Sequence, residues 1–430
     1  MTETRQRVSF HTQGCRLNQS ETAMMSQQLQ DAGFAIVDPK SPSDIVIVNT
    51  CTVTEHGDAD TRRLVNQINR QNPSAKIALV GCLAQIQKDA LLALQNVQWV
   101  VGNQEKMNMP VLLSEPDGAP GVWVNKIKAE SFEIETPAID EHHTRANLKI
   151  QDGCDFYCSF CVIPFARGPA RSRVLSNILD EAKVLVQSGH LELVLTGVNI
   201  GTYDDSGRDI LGLVDELAEI EGLRRIRISS IEPTTVPVAF FDRMNDASHP
   251  LCRYLHLPLQ SGSTTVLADM ARKYNREEWI DFAKMAKATV PNLCLGTDII
   301  VGFPSEGEEE FLDTEAMMQD DYIDYAHVFR YSERPLARSP KRGPGADAAT
   351  LKDRSQRLRN LSQRAQNRFY LSQIGQDYEL LFEQKKDGLW QGITGHFVRV
   401  HVESGEDLHR QIRSVHLERM EDGRVIGTLN

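Results

Sequence analysis

The segment that most limits how this chain can fold is a run of three closely spaced cysteines, Cys154, Cys158 and Cys161, in the order Cys-x3-Cys-x2-Cys. No fourth cysteine lies nearby, although a closed structural zinc site takes four protein ligands. Thiolates also bind iron–sulfur clusters, and three of them leave one iron of a four-iron cluster open to a small molecule. We therefore expect a cluster site here. The alternatives are structural zinc, with His142 or His143 as the fourth ligand, and three thiols that bind no metal.

The first part of the chain, residues 5–118, alternates strand-like and helix-like segments. Short runs predict buried strands at Val8–His11, Ile45–Val48 and Ile77–Val80. Helical spacing predicts helices at Ser20–Ala32, Asp58–Arg70 and Lys88–Leu94, and Ser20 is the expected cap of the first one. This alternation is typical of a small α/β domain with a doubly wound parallel sheet.

Three further cysteines fall at the ends of these strands. Cys51 and Cys82 follow the second and third strands directly, and Cys15 lies shortly after the first. Because parallel sheets bind ligands at the carboxyl ends of their strands, we expect these thiols to converge on one point. Three unrelated buried cysteines are the alternative, since cysteine is a common core residue. The remaining two, Cys252 and Cys294, match no ligand spacing and are expected to be structural.

Residues 140–370 contain a longer alternation of strands and helices. The predicted strands are Asn147–Ile150, Glu192–Leu195, Arg225–Ser229, Tyr254–Leu257, Thr297–Val301 and Tyr325–Phe329. Six strand–helix units without a seventh predict a partial (β/α)6 barrel, related to the eight-fold form. Such barrels place their chemistry at the carboxyl ends of the strands. The Cys154 segment follows the first strand and should therefore lie at that end.

The last part of the chain, residues 373–430, has short alternating runs broken by glycines, which predict a small β-barrel of the oligonucleotide-binding kind. A basic helix is expected before it, from about Leu351 to Leu371, where a polyanion would meet a positive field although the net charge of the chain is −12. A solvated helix face is the alternative. No apolar run approaches a membrane span and the first residues show no secretory core, so we expect a cytoplasmic protein with no membrane partner.

A cysteine loop of this spacing, after the first strand of a six-unit barrel, resembles the radical S-adenosylmethionine (SAM) superfamily. The order of domains and the second cysteine set resemble one branch of it, the methylthiotransferases, over nearly the whole chain. The motifs that carry the resemblance are Thr12-Gln13-Gly14-Cys15, Asn49-Thr50-Cys51-Thr52-Val53-Thr54, Gln151-Asp152-Gly153-Cys154, Arg227-Ile228-Ser229-Ser230-Ile231-Glu232-Pro233 and Leu257-Pro258-Leu259-Gln260-Ser261-Gly262. The residues after Cys51 and the run Ile231-Glu232-Pro233 are similar to the type that modifies N6-threonylcarbamoyladenosine in tRNA.

The resemblance implies an N-terminal methylthiotransferase domain, a radical SAM core and a C-terminal TRAM domain that binds RNA. It implies two 4Fe–4S clusters: a SAM-binding cluster on Cys154, Cys158 and Cys161, and a second cluster on Cys15, Cys51 and Cys82. The first would generate a 5′-deoxyadenosyl radical from SAM. The second would hold a sulfur that is methylated by a second SAM molecule. The expected product carries a methylthio group on carbon 2 of N6-threonylcarbamoyladenosine next to the anticodon.

The resemblance also suggests which residues contact the ligands. Five residues that follow barrel strands are expected to contact SAM: Thr196, Gly197, Ser230, Glu232 and Gln260. Three arginines next to the cysteine loop are expected to contact the RNA backbone, with ordinary surface charge as the alternative: Arg167, Arg171 and Arg173. The implied partners are tRNA, an electron donor such as a flavodoxin or ferredoxin, and a sulfur donor.

Other functions remain open from the sequence. One is methylthiolation of isopentenyladenosine in tRNA, and another is methylthiolation of a ribosomal protein, both by relatives in the same branch. A zinc-stabilised RNA-binding protein without redox chemistry represents a different class. Iron content would distinguish the zinc protein from the two kinds of methylthiotransferase.

Overall fold

The structure is a computed structural model that describes residues 5–114, 120–135, 143–339 and 346–430. His142, one of the two histidines considered as a zinc ligand, lies outside the described residues, as does the expected start of the central domain at residue 140. Within the described ranges, no helix is both long and apolar enough to cross a membrane.

The N-terminal part is a parallel sheet with helices between its strands. Its strands are β1 (Arg7–Thr12), β2 (Ala35–Ile36), β3 (Ile45–Thr50), β4 (Lys76–Gly81), β5 (Val97–Val101) and β6 (Gly121–Trp123). Its helices are α1 (Arg16–Asp31), α2 (Glu55–Gln71), α3 (Cys82–Leu92) and α4 (Met109–Ser114). The strand order is β2-β1-β3-β4-β5-β6, and every pair of neighbours is parallel. The predicted doubly wound sheet is confirmed.

The strand order places two cysteine loops side by side. After β1 the chain forms β2 on one side of β1 and then crosses over to form β3 on the other side of β1. Open parallel sheets form a ligand crevice at the carboxyl ends of the strands, at the point where the order reverses. Cys15 follows β1 and Cys51 follows β3, so both lie at this crevice. Cys82 begins α3 directly after the next strand, β4.

Three details of this domain differ from the sequence-based expectation, and the first is that helix α3 begins at Cys82 rather than at Lys88. Helix α1 begins at Arg16 with Cys15 as its N-cap, rather than at Ser20. Ser20 is buried inside the helix, and its hydroxyl donates to the carbonyl oxygen of Asn147 in the central domain at 3.4 Å. The sheet also extends past the expected boundary at residue 118, because β6 pairs with β5.

The central part contains the six expected strands. All its strands in chain order are β7 (Ala146–Lys149), β8 (Gln151–Asp152), β9 (Arg171–Ser172), β10 (Glu192–Thr196), β11 (Asp204–Asp205), β12 (Arg208–Asp209), β13 (Arg225–Ile228), β14 (Tyr254–His256), β15 (Cys294–Val301) and β16 (Tyr325–Arg330). Its helices are α5 (Ile163–Arg167), α6 (Leu175–Gln187), α7 (Ile210–Ala218), α8 (Phe240–Asn245), α9 (Thr264–Asp269), α10 (Arg276–Thr289) and α11 (Glu308–Gln319).

The parallel strands of this part form two sheets, β7-β10-β13 and β14-β15-β16. A parallel bridge between Ile226 and Leu251 joins the sheets beside β13. Among the described residues no strand pairing connects β16 back to β7, so the barrel is partial, as predicted. One apolar core fills it, drawn from the inner faces of the strands and from the helices that cover them.

The C-terminal part begins with a long helix, α12 (Ala348–Leu371), whose buried face includes Leu358 and Ala365. Five strands follow: β17 (Asp377–Lys386), β18 (Leu389–Thr394), β19 (Arg399–Val402), β20 (Ile412–Glu421) and β21 (Arg424–Leu429). They close into a barrel in the order β17-β18-β19-β21-β20, which confirms the predicted small β-barrel. Two arginines of the basic helix, Arg354 and Arg357, pair with Glu306 and Glu315 beside or within α11 and are not free for a polyanion.

A buried arginine fastens the small barrel to the central sheet. Arg227 on β13 pairs with the fully buried Glu192 on β10. The same guanidinium donates to the carbonyl oxygens of Gly395 and Thr394 in the C-terminal barrel, at 3.0 and 3.2 Å. Burial alone would raise the pKa of Glu192, but the charge and hydrogen bonds of Arg227 outweigh it and hold that pKa at about 2.

Replacing Arg227 with methionine is expected to lower the free energy of unfolding by about 3–5 kcal/mol, because it leaves a buried carboxylate without its main partner. Arg224→Met is the matched control. That neighbouring arginine pairs with Glu379 of the same barrel, but both side chains are about half exposed, and such pairs contribute at most about 1 kcal/mol. Equilibrium urea unfolding measures both effects, and equal losses would contradict this role for Arg227.

The same pair makes the wild-type protein sensitive to acid. Because the folded-state pKa of Glu192 lies below its usual value of 4.5, its contribution to stability is fully present above that pH. It is lost as the pH falls toward 2. The Arg227→Met variant is expected to lose less stability over this range than the wild type.

Candidate active site

The Cys154 loop lies at the carboxyl end of the barrel, directly after β7 and β8. The amide of Cys154 donates to the carbonyl oxygen of Gly168 at 3.1 Å, and the amide of Cys161 donates to that of Cys158 at 3.0 Å. The amide of Phe156 points at the sulfur of Cys154, with N and Sγ 3.5 Å apart. The loop is therefore folded back on itself, and one backbone donor is aimed at a sulfur, a contact of the kind that tunes sulfur-bound clusters.

Burial and one cation dominate the electrostatics of this loop. Burial raises the pKa of Cys154 to about 11 and that of Cys161 to about 12. A metal binds the thiolate form, so its charge must offset this preference for the thiol. The guanidinium of Arg272 lies against Cys158, with Nη1 3.2 Å from Sγ. This arginine places a positive charge beside a ligand sulfur. Arg272 was not among the site residues predicted from the sequence.

Unpaired polar atoms lie where SAM was expected. Thr196 ends β10, and its hydroxyl oxygen is buried with no hydrogen-bond partner among the described residues. The same is true of both polar side-chain atoms of Asn199, three residues further on. Buried polar groups in proteins are nearly always hydrogen-bonded, so these atoms suit a polar ligand. At Gly197 a Cβ would lie 2.7 Å from Ile200, so the chain passes close to its neighbours there.

The other three predicted SAM contacts also follow barrel strands. Glu232 pairs with Arg272, which connects it to the cysteine loop. Burial raises the pKa of Glu232, and Arg272 acts in the opposite direction. The backbone of Gln260 is left-handed (φ +74°). Its backbone amide donates a hydrogen bond to the carbonyl oxygen of Asp298 at 2.8 Å. Ser230 is partly exposed after β13.

The second cysteine set is gathered at the crevice of the N-terminal sheet. Gly14 has a left-handed conformation (φ +93°), and a Cβ at this position would lie only 2.9 Å from the sulfur of Cys51. The loop that carries Cys15 therefore touches Cys51. Burial raises the pKa of Cys51 to about 11, and the neighbouring thiols of Cys82 and Cys15 add to this shift. Cys15 and Cys82 therefore both lie near Cys51, at the carboxyl ends of the strands.

A group of six charged side chains is enclosed between the two cysteine sets. We call it the interdomain charge cluster, and its members are Glu21, Lys106, Lys149, Asp152, Arg167 and Arg171. Arg167 lies at the centre, with Nη1 3.0 Å from both the Glu21 and the Asp152 carboxylate. Glu21 and Lys106 belong to the N-terminal domain and the other four to the central one. The group therefore binds the two domains together.

This placement corrects the expectation that Arg167, Arg171 and Arg173 contact RNA. Arg167 and Arg173 are 1% and 0% exposed. Arg173 pairs with Glu181, and Arg171 lies 3.0 Å from Asp152. The buried guanidinium groups of Arg167 and Arg173 cannot reach an external phosphate, and that of Arg171 is held by Asp152. Closeness to the cysteine loop along the chain was therefore a poor guide to exposure.

A second link between the domains runs from the segment after β16. Arg334 is buried and donates to the hydroxyl of Thr52 at 2.7 Å and to Asp58 at 2.6 Å, next to Cys51. The same segment reaches the other cysteine loop, where the amide of Arg338 donates to the carbonyl oxygen of Ser159 at 2.6 Å. One segment of the chain therefore forms hydrogen bonds beside both cysteine sets.

The donor sets fit iron–sulfur clusters in their chemistry. Each set offers three thiols and no fourth protein ligand of the same kind. Within the described ranges, no three His, Cys, Asp or Glu side chains are gathered tightly enough for a single metal ion. In a four-iron cluster every thiolate binds a different iron, so the ligands surround a larger body. Cys252 and Cys294 are buried in an apolar group with Tyr254 and Phe369, away from both sets, as expected for structural residues.

A partial six-unit barrel with a Cys-x3-Cys-x2-Cys loop defines a radical SAM protein, and the Radical SAM superfamily model matches residues 148–318. The model described as "Uncharacterized protein family UPF0004" matches residues 7–102. The fold is similar to that of the radical SAM methyltransferase TsrM from Kitasatospora setae. The TM-score is 0.56 at 16% identity, over 76% of this chain and 75% of that one.

The sequence is also similar to named tRNA-modifying enzymes, which identify the family within the radical SAM superfamily. The chain is 35% identical to "Threonylcarbamoyladenosine tRNA methylthiotransferase MtaB" of Bacillus subtilis, over 95% of this chain and 93% of the relative. It is 32% identical to "tRNA-2-methylthio-N(6)-dimethylallyladenosine synthase" of Staphylococcus epidermidis, over 81% and 69%. The chain belongs to the radical SAM tRNA methylthiotransferase family. It is an enzyme of that family, and an iron–sulfur cluster and SAM are its cofactors.

Proposed function

We propose that this enzyme transfers a methylthio group to carbon 2 of N6-threonylcarbamoyladenosine next to the anticodon of tRNA. The observation that carries the proposal is the pairing of two three-thiol sites, one at each strand-end crevice, in domains joined by buried contacts. The choice of nucleoside is supported by the name of the Bacillus relative and by the run Ile231-Glu232-Pro233.

Each cysteine set has its own task in this proposal. Cys154, Cys158 and Cys161 hold a SAM-binding 4Fe–4S cluster, and Cys15, Cys51 and Cys82 hold a second one. When bound, the first cluster supplies the electron that splits SAM, and the second carries the sulfur that is transferred. The protein itself needs no paired acid and base at carbon 2, because removal of that hydrogen is radical chemistry supplied by the cofactor.

The residues at the barrel mouth bind and orient SAM. Thr196 and Asn199 offer the unpaired buried atoms, and Gly197 lets the chain between them pack closely against Ile200 and Gln151. The remaining contacts come from Ser230, Glu232 and Gln260, as predicted from the sequence. Arg272 holds Glu232 in place and lies against Cys158, so it acts as a positioning residue between SAM and the loop.

The C-terminal domain contacts the tRNA in this proposal. The closed barrel of residues 373–430 is the proposed tRNA-binding domain, since barrels of this kind bind oligonucleotides. The target adenosine must be accessible in a single-stranded loop, where bases can be recognised individually. A flavodoxin or ferredoxin as electron donor, a separate sulfur donor and a cytoplasmic location complete the proposal.

Mass spectrometry of tRNA nucleosides from cells with and without this protein tests the substrate. We expect cells that lack it to lose the methylthio form of N6-threonylcarbamoyladenosine and to keep the unmodified parent. The wild-type chain should restore the product, and a Cys154→Ala chain should not. Loss of the methylthio isopentenyl nucleoside instead would assign the other tRNA substrate. No change in any nucleoside would point to a protein substrate.

A further inference from the structure

The interdomain charge cluster carries more positive than negative charge. It contains four cations, Lys106, Lys149, Arg167 and Arg171, and two carboxylates, Glu21 and Asp152. In the described part of the chain, the salt bridges of these four cations end on those two carboxylates alone. The surplus is therefore two positive charges, in a group of which five side chains are buried and one, Arg171, is partly exposed.

Buried charge of this kind requires a counter-charge. Moving an ion out of water is strongly unfavourable unless an opposite charge lies close by. Glu21 is fully buried and contacts three of the four cations, so its single charge is already shared. The surplus must be matched by something the protein holds nearby.

The groups that border the cluster on the N-terminal side are cysteine sulfurs. The amide nitrogen of Asn103 lies 3.6 Å from the sulfur of Cys82, and its oxygen accepts a hydrogen bond from Lys106 at 2.8 Å. The oxygen of Asn18 accepts from Arg167 at 2.7 Å and lies 3.9 Å from the sulfur of Cys15. One neutral side chain thus separates Lys106 from Cys82, and another separates Arg167 from Cys15.

On its other side the cluster approaches the SAM-binding loop through the carboxylate of Asp152. Asp152 accepts a hydrogen bond from the amide of Gly153 at 2.9 Å, and Cys154 follows directly. Because Asp152 lies between the cations and this loop, its carboxylate offsets their charge on the Cys154 side, whereas the neutral side chains of Asn18 and Asn103 lie between them and Cys15 and Cys82.

We propose that the interdomain charge cluster is the fixed counter-charge of the iron–sulfur cluster on Cys15, Cys51 and Cys82. Lys106 and Arg167 are positioning residues in this role: they stabilise the negatively charged thiolate-bound cluster and hold its reduction potential above the value it would otherwise have. The inference rests on the proposed function, because it needs the second cluster. The potential of such a cluster depends on nearby charge and on hydrogen bonds to its sulfurs.

The test uses the full chain with Cys154, Cys158 and Cys161 changed to alanine, so that only the second cluster is reconstituted. In this background Lys106→Met removes one positive charge and is expected to shift the midpoint potential to a more negative value. Glu21→Gln removes one negative charge and should shift it to a more positive value. The double variant Glu21→Gln/Lys106→Met keeps the net charge and should return close to the parent. Spectroelectrochemistry and iron content give the readouts.

Lys183→Met provides a surface control. This lysine lies on α6 with its side chain mostly exposed, so its charge is screened by water and salt, and no shift is expected. Shifts of the same sign in Lys106→Met and Glu21→Gln would overturn the proposal, as would unchanged potentials in variants that bind full iron. If Lys106→Met does not fold, the sign of the Glu21→Gln shift decides. A parent that binds no iron at all would instead refute the second cluster and with it the proposed function.

Discussion

Replacing Cys158 with serine is expected to abolish reductive cleavage of SAM, and replacing Cys51 with serine to leave it intact. Cys158 belongs to the loop at the barrel mouth, whereas Cys51 lies in the crevice of the N-terminal sheet. Each change removes one thiolate from a set that has three, so each should cost one cluster. The reconstituted wild type should hold roughly 8 irons and either variant roughly 4.

The two variants should differ in the products that they form. Release of 5′-deoxyadenosine under chemical reduction is expected from Cys51→Ser but not from Cys158→Ser, and neither should form methylthiolated tRNA. Cys252→Ala is the matched control, because that thiol is buried in an apolar group between the central and C-terminal domains. It should keep its iron and its activity. If Cys51→Ser also stopped SAM cleavage, the two cysteine sets would not be separate sites, and a wild type that bound zinc but no iron would contradict both.

The sequence predicted the architecture well because the fold depends on local patterns. The six barrel strands are short segments of apolar or alternating residues between helices, and each lies within a few residues of its predicted position. The second set of cysteines could be predicted for a geometric reason. Parallel strands end at one edge of a sheet, so thiols that follow neighbouring strands must lie close together.

What the sequence did not reveal depends on contacts between distant residues. Arg167 looked like a free cation beside the loop, but its partner Glu21 lies 146 positions away. Helix α1 begins at Arg16 because Cys15 takes the N-cap position, although Ser20 has the stronger capping preference. Ser20 and Glu21 are buried together where one domain docks on the other, and no local pattern encodes that interface.

Gly153→Ala is expected to destabilise the protein by about 2–5 kcal/mol and to empty the SAM-binding cluster site. Gly153 has a left-handed conformation (φ +72°), which costs an alanine about 1–2 kcal/mol. Its Cβ would also lie 1.9 Å from the carbonyl oxygen of Pro169, and backbone atoms cannot yield as a flexible side chain does. Overpacking of this kind adds about 1–3 kcal/mol, occasionally more.

Gly189→Ala isolates the conformational part of this effect. Gly189 ends helix α6 with φ +95°, and no atom lies within 4 Å of the Cβ that alanine would add. Its expected cost is about 1–2 kcal/mol, without loss of iron. The difference between the two variants measures how tightly the Gly153 turn is packed against residues 168 and 169. Since Cys154 follows that turn and its amide bonds to Gly168, a shift there displaces a cluster ligand. Equal iron content and equal SAM cleavage in the two variants would show that the loop does not depend on this turn.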